Sequence, residues 1–372
     1  MKKLLLILVL LASVRLEAQF VTTFAKNATE SQMEGVLYYL PRNVIRLEFT
    51  IEEIDYFIGP YAEYASTILG TTDYIKENKS EFNILNVDIQ TVSEIDPNAV
   101  FYISPEDRGK EPMPNVILNA DGVILAVGYD NIPENYSVEA NPIIYNDLDV
   151  CERVEVSFVE INDSEVELDD DDDEDEEGGR KPRQITKEDK AKVALEKIMN
   201  IRNAYFELLS GSQEIPGGEA VKYMAENVKH IENEYVSLFK GKTVRYVYKK
   251  VIYVTPENNQ ASATLSIAKM SKTEGLGDMN GKGETVKIQF DSRSYLANIG
   301  SVNSDVINTT QTNKLFYRIP ANSSVKIFVG NNVIAQKTLN INQFGHIKTM
   351  SVKNNKVLFN TNTGQIISVM KY

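Results

Sequence analysis

Two histidines, His230 and His346, one cysteine, Cys151, and many carboxylates are the side chains that could carry chemistry in this sequence. Neither histidine has a second histidine or a cysteine at ligand spacing, so a zinc ion would need carboxylates for its remaining ligands. His230 stands beside Ile231, just off a helical apolar stripe, and reads as surface or boundary; His346 follows Gly345 and reads as the start of a strand. Cys151 lies next to Val150 in strand-like sequence and reads as an inert core residue rather than a nucleophile. No Gly-x-Ser-x-Gly elbow, phosphate loop or His-Glu-x-x-His helix occurs. Paired carboxylates can run glycoside hydrolysis, and the chain holds 53 Asp and Glu. It has no tryptophan to stack on a sugar, though its 19 tyrosines could substitute. No catalytic constellation is legible, so the expectation is a protein without enzymatic activity, cofactor or metal, with a carboxylate-based envelope hydrolase as the alternative.

The carboxylates are concentrated. Formal charge is −14, and residues 160–177 hold 13 acidic side chains and no basic one. Residues 169–177 are wholly acidic and are followed by Gly178-Gly179-Arg180-Lys181-Pro182-Arg183. Like charges in a block repel and stay solvated, so this stretch is predicted to be a disordered spacer. It lacks the spaced ligands and internal glycine of a calcium loop. A second reading makes it a surface bait for cationic proteins. Nothing resembles the clustered Lys and Arg that phosphate backbones require, so nucleic acid is not an expected partner.

The elements that would position any site are mostly strands. The exception is 186–241, which reads as two amphipathic helices. Thr186 is a suitable N-cap, with Asp189 three residues on. Apolar residues recur at Ala191, Ala194/Leu195, Ile198, Ile201, Tyr205 and Leu208/Leu209, then at Val221, Met224, Val228, Ile231, Tyr235 and Leu238. Steps of three and four put each set on one helical face, and both faces are predicted to be buried. Ile215-Pro216-Gly217-Gly218 supplies the turn, and Gly211 and Gly241 end the helices.

Before the hairpin, strands are predicted at 36–40, 45–51, 82–92, 100–103 and 154–161, with Pro41 and Asn43 breaking the first two apart. A short helix is expected from Gly59-Pro60-Tyr61, with Tyr61, Tyr64/Ala65 and Ile68/Leu69 on one face. A β-hairpin spans 116–127 around Asn119-Ala120-Asp121-Gly122. After the helices, strands are predicted at 244–254, 261–269, 285–290, 315–319, 325–329 and 333–341, and a closing hairpin at 356–370. Gly275, Gly277, Gly281 and Gly283 read as a flexible strand connection, because no helix follows to make a phosphate cradle. Two patterns recur in order. Tyr38-x-Leu40-Pro41-x-Asn43 returns as Tyr317-x-Ile319-Pro320-x-Asn322, and Gly122-x-Ile124-x-x-Val127 as Gly364-x-Ile366-x-x-Val369. The repetition suggests two β-units of related layout.

Several motifs together resemble one family. They are Gly35-Val36-x-Tyr38-x-Leu40-Pro41, Gly59-Pro60-Tyr61-x-x-Tyr64-Ala65, Ile198-x-x-Ile201-Arg202, Glu234-Tyr235-x-x-Leu238-Phe239-x-Gly241, Tyr317-Arg318-Ile319-Pro320-Ala321 and Gln343-Phe344-Gly345. In this order the chain resembles the domain of unknown function 4831, found in exported proteins of Bacteroidetes. The resemblance brings no activity and no catalytic residues; the motif residues are expected to be structural.

Met1-Lys2-Lys3, an apolar run over 4–12 and Ala18 read as a secretory signal, with Gln19 first after cleavage. No cysteine near Ala18 offers a lipid anchor, and no later stretch is long and apolar enough to span a bilayer. The expected organisation is a signal peptide (1–18), an N-terminal β-rich domain (19–165), an acidic linker (166–185), a helical hairpin (186–241) and a C-terminal β-rich domain (242–372). The expected class is α+β, mainly β, with two sandwich-like units and the antiparallel helical hairpin between them. The expected role is a non-catalytic module of the periplasm or outer cell surface that meets a protein partner or serves structurally.

Overall fold

Ile45, Leu47, Phe49 and Ile51 alternate with polar residues, and all four are fully buried. They lie on one face of a strand much longer than the alternation suggests. The structure is a computed structural model that describes residues 20–106, 113–134, 136, 153–166, 184–210, 218–292 and 307–371. The signal segment, Cys151, the 169–177 block and the turn at 211–217 lie outside the described residues.

In chain order come β1 (Phe20–Phe24), a one-turn helix α1 (Glu30–Met33), β2 (Val36–Phe57), β3 (Lys79–Pro105), β4 (Val116–Leu118) and β5 (Ile124–Val127). The helical hairpin follows as α2 (Lys187–Ser210) and α3 (Gly218–Lys240). The remaining strands are β6 (Lys242–Val254), β7 (Thr264–Ser271), β8 (Gly275–Gly277), β9 (Glu284–Ser292), β10 (Gln311–Thr312), β11 (Lys314–Val329), β12 (Asn332–Ser351), β13 (Asn355–Phe359) and β14 (Ile366–Lys371). They form three antiparallel sheets, ordered β10-β1-β3-β2-β6, β12-β11-β9-β7-β8 and β14-β13-β5-β4. The class is α+β and mainly β, with the helical hairpin between β-rich stretches of sequence.

Two cores fill the space between sheets. In the first, Ile45, Leu47, Phe49 and Ile51 of β2 face Val286, Ile288 and Phe290 of β9 and Val325 and Ile327 of β11. Phe290 and Phe344 meet edge to face at 5.2 Å between ring centroids. In the second, Tyr38, Phe101 and Phe316 stack, with centroids 5.4 and 4.5 Å apart. Burial pushes the Tyr38 phenol well above its ordinary pKa. Its hydroxyl therefore stays protonated, donating to the Phe316 carbonyl at 3.4 Å and accepting from the Phe316 N–H at 3.1 Å.

The boundaries 19–165 and 242–372 do not separate these cores. Each core takes strands from both sides of the helical hairpin. β1 pairs with β10, β2 with β6, and β5 with β13. The two units are thus interleaved in sequence rather than consecutive.

Several predicted strands merge. The pairs 36–40 and 45–51, 82–92 and 100–103, and 315–319 and 325–329 are each one strand, β2, β3 and β11. Pro41 does not break β2, because it sits where the register jumps from Tyr39↔Val100 to Pro41↔Ile95. A bulge needs no ladder N–H at that point, which is why proline is tolerated. Pro320 plays the same part in β11, between Ile319↔His346 and Ala321↔Ile341. His346 consequently lies inside β12 rather than at a strand start. Residues 154–161 form no strand; they run extended beside β6 without a ladder. Tyr246 donates its hydroxyl to Val154 O at 3.3 Å, and Lys242 Nζ donates to Ser157 O at 2.8 Å. The helix after Pro60 is a short 3₁₀ turn, Ala62–Tyr64, yet Tyr61 and Ala65 are buried on the expected face.

The internal repetition is real at the level of hydrogen bonds. Tyr39 N–H donates to Gly122 O at 3.0 Å, and Arg318 N–H, at the matching place in the repeat, donates to Gly364 O at 3.2 Å. Gly122 and Gly364 adopt φ of 83° and 70°, where a side chain is disfavoured. Asn119 Oδ1 accepts from Asp121 N and Val123 N, and Asn360 Oδ1 accepts from Asn362 N and Thr363 N. The Asx turn that starts each repeated hairpin is the same device used twice.

Candidate functional site

Thr186 and Asp189 make the predicted capping box at the start of α2. Thr186 N donates to Asp189 Oδ2 at 2.9 Å, and Asp189 N donates to Thr186 Oγ1 at 3.2 Å. The base of the hairpin is then held by the Gly59-Pro60-Tyr61 and Glu234–Gly241 motifs, which the fold brings together. A Cβ on Gly59 would stand 2.4 Å from Leu238 O, so only glycine lets the chain after β2 lie against α3. Tyr61 N–H donates to Leu238 O at 2.8 Å, and the Tyr61 and Phe239 rings lie 5.9 Å apart. Gly241 has φ of 85° and donates its N–H to Ser237 O at 2.8 Å, ending α3 where Phe57 O crosses it. Glu234 accepts from Lys242 Nζ at 2.7 Å, and Tyr235 packs on the same cluster. Gly59, Pro60, Tyr61, Glu234, Tyr235, Leu238, Phe239 and Gly241 therefore form one seat for the helical hairpin.

Beside this seat is a cleft of about 810 Å³, lined by Pro60, Tyr61, Phe158, Ile161, Asp163 and Lys190 among others. Lys190, Asp163 and Asn162 of its lining are already engaged. Lys190 Nζ lies 2.5 Å from Asp163 Oδ1, and that hydrogen bond holds the amine above its ordinary pKa. A lysine kept protonated is a poor nucleophile. Burial raises the Tyr61 phenol, while Lys190 and Lys187 pull it back.

The other motif residues meet at a second joint, between the two cores. Arg318 is 3% exposed; its Nη2 lies 2.8 Å from Asp96 Oδ2, and its Nη1 donates to Pro41 O at 2.9 Å. Gln343 uses its side-chain amide as a strand uses its backbone: Nε2 donates to Asn43 O at 2.6 Å, and Oε1 accepts from Asn43 N at 2.9 Å. Asn342 N donates to Asn43 Oδ1 at 2.7 Å. A Cβ on Gly345 would sit 1.8 Å from Ile319 O, so the strands touch here only because glycine has none. Tyr317 and Phe344 pack on the cores to either side, and Pro320 marks the bulge. Arg318, Asp96, Asn43 and Asn342 were not singled out as site residues. Arg318 stands in a family motif and Asn43 in the recurring Tyr38-x-Leu40-Pro41-x-Asn43 pattern, which was the available signal; Asp96 and Asn342 lie among other polar residues and carried none. Their network is buried and ties β2 to β11 and β12, with Asn342 Oδ1 left without a hydrogen-bond partner among the described residues.

Glu53 and Asp55 are buried carboxylates two residues apart on β2, the arrangement a hydrolase reading would ask for. Arg153 lies 2.9 Å from Glu53 Oε2 and 3.6 Å from Asp55 Oδ2, so one guanidinium bridges the two carboxylates. Among the described residues, no group of three or more His, Cys, Asp or Glu is placed to hold a metal ion. His230 is exposed.

Away from its seat the hairpin is differently made. Ala191, Ala194 and Ile198 are fully buried, as expected. Ile231 and Met224, predicted to be buried, are 47% and 44% exposed. The stripe they share with Leu238 meets the 59–65 segment only at the Leu238 end. Phe206, Leu209 and Tyr223 are also largely exposed. Glu232 is buried between the helices and takes hydrogen bonds from Arg202 Nε at 2.8 Å and Lys229 Nζ at 2.6 Å. Burial would raise its carboxyl, but Lys229 and Arg202 outweigh this and hold it below the usual range. Its contribution is thus present above the ordinary carboxylate pKa and is lost as pH falls through the lowered value.

The described architecture is that of an interleaved two-core β protein with a seated helical hairpin and structural motif joints. The chain belongs to the family described as domain of unknown function (DUF4831), whose model matches residues 34–147 and 184–367. No curated protein and no solved structure matches it. Among the described residues, no helix is long and apolar enough to cross a membrane.

Proposed function

We propose that this is an exported, non-catalytic protein of the cell envelope that binds a protein partner through the outer part of its helical hairpin. The observation that supports this reading is the exposure of Met199, Phe206, Leu209, Tyr223, Met224 and Ile231 on an element whose base is firmly seated. Large exposed apolar side chains gathered on one element suggest a site of protein contact. The 169–177 block acts as a spacer; the family match leaves out 148–183, which contains it.

The test compares capture of envelope proteins by the parent, by a Phe206→Asp/Met224→Asp variant, and by a chain whose 169–177 block is replaced with Gly/Ser of equal length. The hairpin variant is expected to lose capture by about tenfold or more, equivalent to roughly 1.4 kcal/mol, with its unfolding midpoint unchanged. Block replacement is expected to leave capture intact. Loss confined to the replaced chain, falling steeply above about 0.15 M salt, would instead support the bait reading.

Export rests on the Met1–Ala18 pattern. N-terminal sequencing of the protein from the producing cell is expected to start at Gln19. Recovery of Met1 from the envelope fraction would overturn it.

A further inference from the structure

The β12-β11-β9-β7-β8 sheet buries one face. Val286, Ile288 and Phe290 of β9 and Val325 and Ile327 of β11 fill the first core. The residues between them point to the other face, as strand alternation requires. One row of that face runs Gln336, Lys326, Gln289 and Thr264, across β12, β11, β9 and β7. The next row runs Val333, Phe328, Lys287 and Ser266. In the row after it, Thr285 of β9 pairs with Lys269 of β7. Gln336, Thr264, Val333 and Ser266 are exposed, and Lys326, Gln289, Phe328 and Lys287 are half-buried. The carboxylates of these four strands are Glu284 and Asp291. Glu284 falls on the other face by alternation, and Asp291 lies opposite Ser324, on the far side of Lys326 from Lys287.

Lys326, Lys287 and Lys269 therefore run diagonally over β11, β9 and β7, one row apart. Diagonal neighbours on a sheet face stand about 7–8 Å apart, and like charges so placed repel. Lys269 Nζ donates to the neutral Thr285 Oγ1 at 2.8 Å, which leaves its charge unbalanced. Lys287 and Lys326 make no ion pair or hydrogen bond among the described residues. The outward face of β2 and β6 is built otherwise: Glu48 there takes Arg46 at 2.8 Å and Lys249 at 2.6 Å. A chain of net charge −14 thus balances its cations on one sheet and lines up three unbalanced ones on another, which calls for an anion. The rest of the face decides what carries it. Protein interfaces are built round an apolar centre from which charges are depleted. Here lysines hold the centre, and the apolar pair Phe328 and Val333 lies to one side. Gln289, Thr264 and Ser266 both donate and accept hydrogen bonds, as sugar hydroxyls do. Phe328 adds an aromatic ring with a face to stack on.

We propose that this face binds a linear polysaccharide bearing carboxylates, laid along the Lys326, Lys287 and Lys269 diagonal. The lysines take the carboxylates, and Gln289, Thr264 and Ser266 take the hydroxyls. This surface is separate from the helical hairpin and does not depend on it.

The test uses the full chain and three labelled polymers of matched length: polygalacturonate, its neutral methyl ester, and poly-glutamate. At about 0.15 M salt, where exposed charges act over roughly 8 Å, fluorescence anisotropy is expected to show polygalacturonate binding about tenfold or more tighter than either of the others. Lys287→Gln/Lys326→Gln should lose the preference for polygalacturonate over its ester, and Phe206→Asp/Met224→Asp should keep it. Equal or tighter binding of poly-glutamate would show attraction by charge without recognition of the sugar and overturn the proposal. Equal binding of the ester would show that the lysines select nothing and overturn it too. So would absence of polygalacturonate binding to the parent, or a lysine variant that keeps the preference. The comparison of polymers uses only the parent, so it decides the matter even if a variant misfolds.

Discussion

Arg318→Ala is expected to destabilise the protein by about 3–5 kcal/mol, read from the denaturant midpoint. The guanidinium is buried and bonded to Asp96 and to Pro41 O. Removing it leaves the Asp96 carboxylate, itself 5% exposed, without its cation. The cost is mainly that of an uncompensated charge, not the worth of the pair. Replacing both partners with apolar residues, as in Arg318→Met/Asp96→Leu, should therefore recover most of the loss. If the single variant unfolds at the parent's midpoint, the joint does not hold the two cores together.

The hairpin supplies the second large effect. Leu238→Ala is expected to cost about 2–5 kcal/mol, because its side chain is fully buried where α3 meets Gly59 and Tyr61. Ile231→Ala, one heptad earlier on the same stripe, should stay within about 0.5 kcal/mol, as a surface change does. Equal costs in urea unfolding would mean that the outer hairpin is covered as well as its base.

That contrast shows what a periodic pattern can and cannot reveal. The stripe through Met224, Ile231 and Leu238 is a property of the helix; whether it is buried depends on what lies opposite. Leu238 falls in one cluster with Tyr61, Ala65 and Ile198, whereas Met224 and Ile231 fall outside it. The turns were legible because Asn119 and Asn360 act on their own neighbours, and local chemistry is written locally. The long strands were not. β2 and β11 pass from one core to the other at Pro41 and Pro320, so their alternation breaks there and a proline marks the break. Residues 154–161 read as a strand because Val154, Val156 and Phe158 alternate with Glu155 and Ser157, yet Val154 is exposed and the inward residues are Phe158 and Ile161, three apart. Backbone pairing, which the pattern cannot report, is missing. At the candidate sites, the glycine and aromatic motif residues were recognisable. The partners that explain them lie far away in sequence, and Asp96, between Glu94 and Asn98, carries no local mark.

The interleaving also sets a clock. Phe20 N–H meets Asn313 Oδ1 across 293 residues of chain. At about 5–20 residues per second of synthesis, β1 waits on the order of 15–60 s for that partner to exist. Neither core can close before the final strands emerge, since β13 lines the second and β12 the first. The growing chain therefore completes neither core until nearly the last residue is made. A truncated product of a stalled ribosome has no folded half to hide in, which makes it a ready target for proteases.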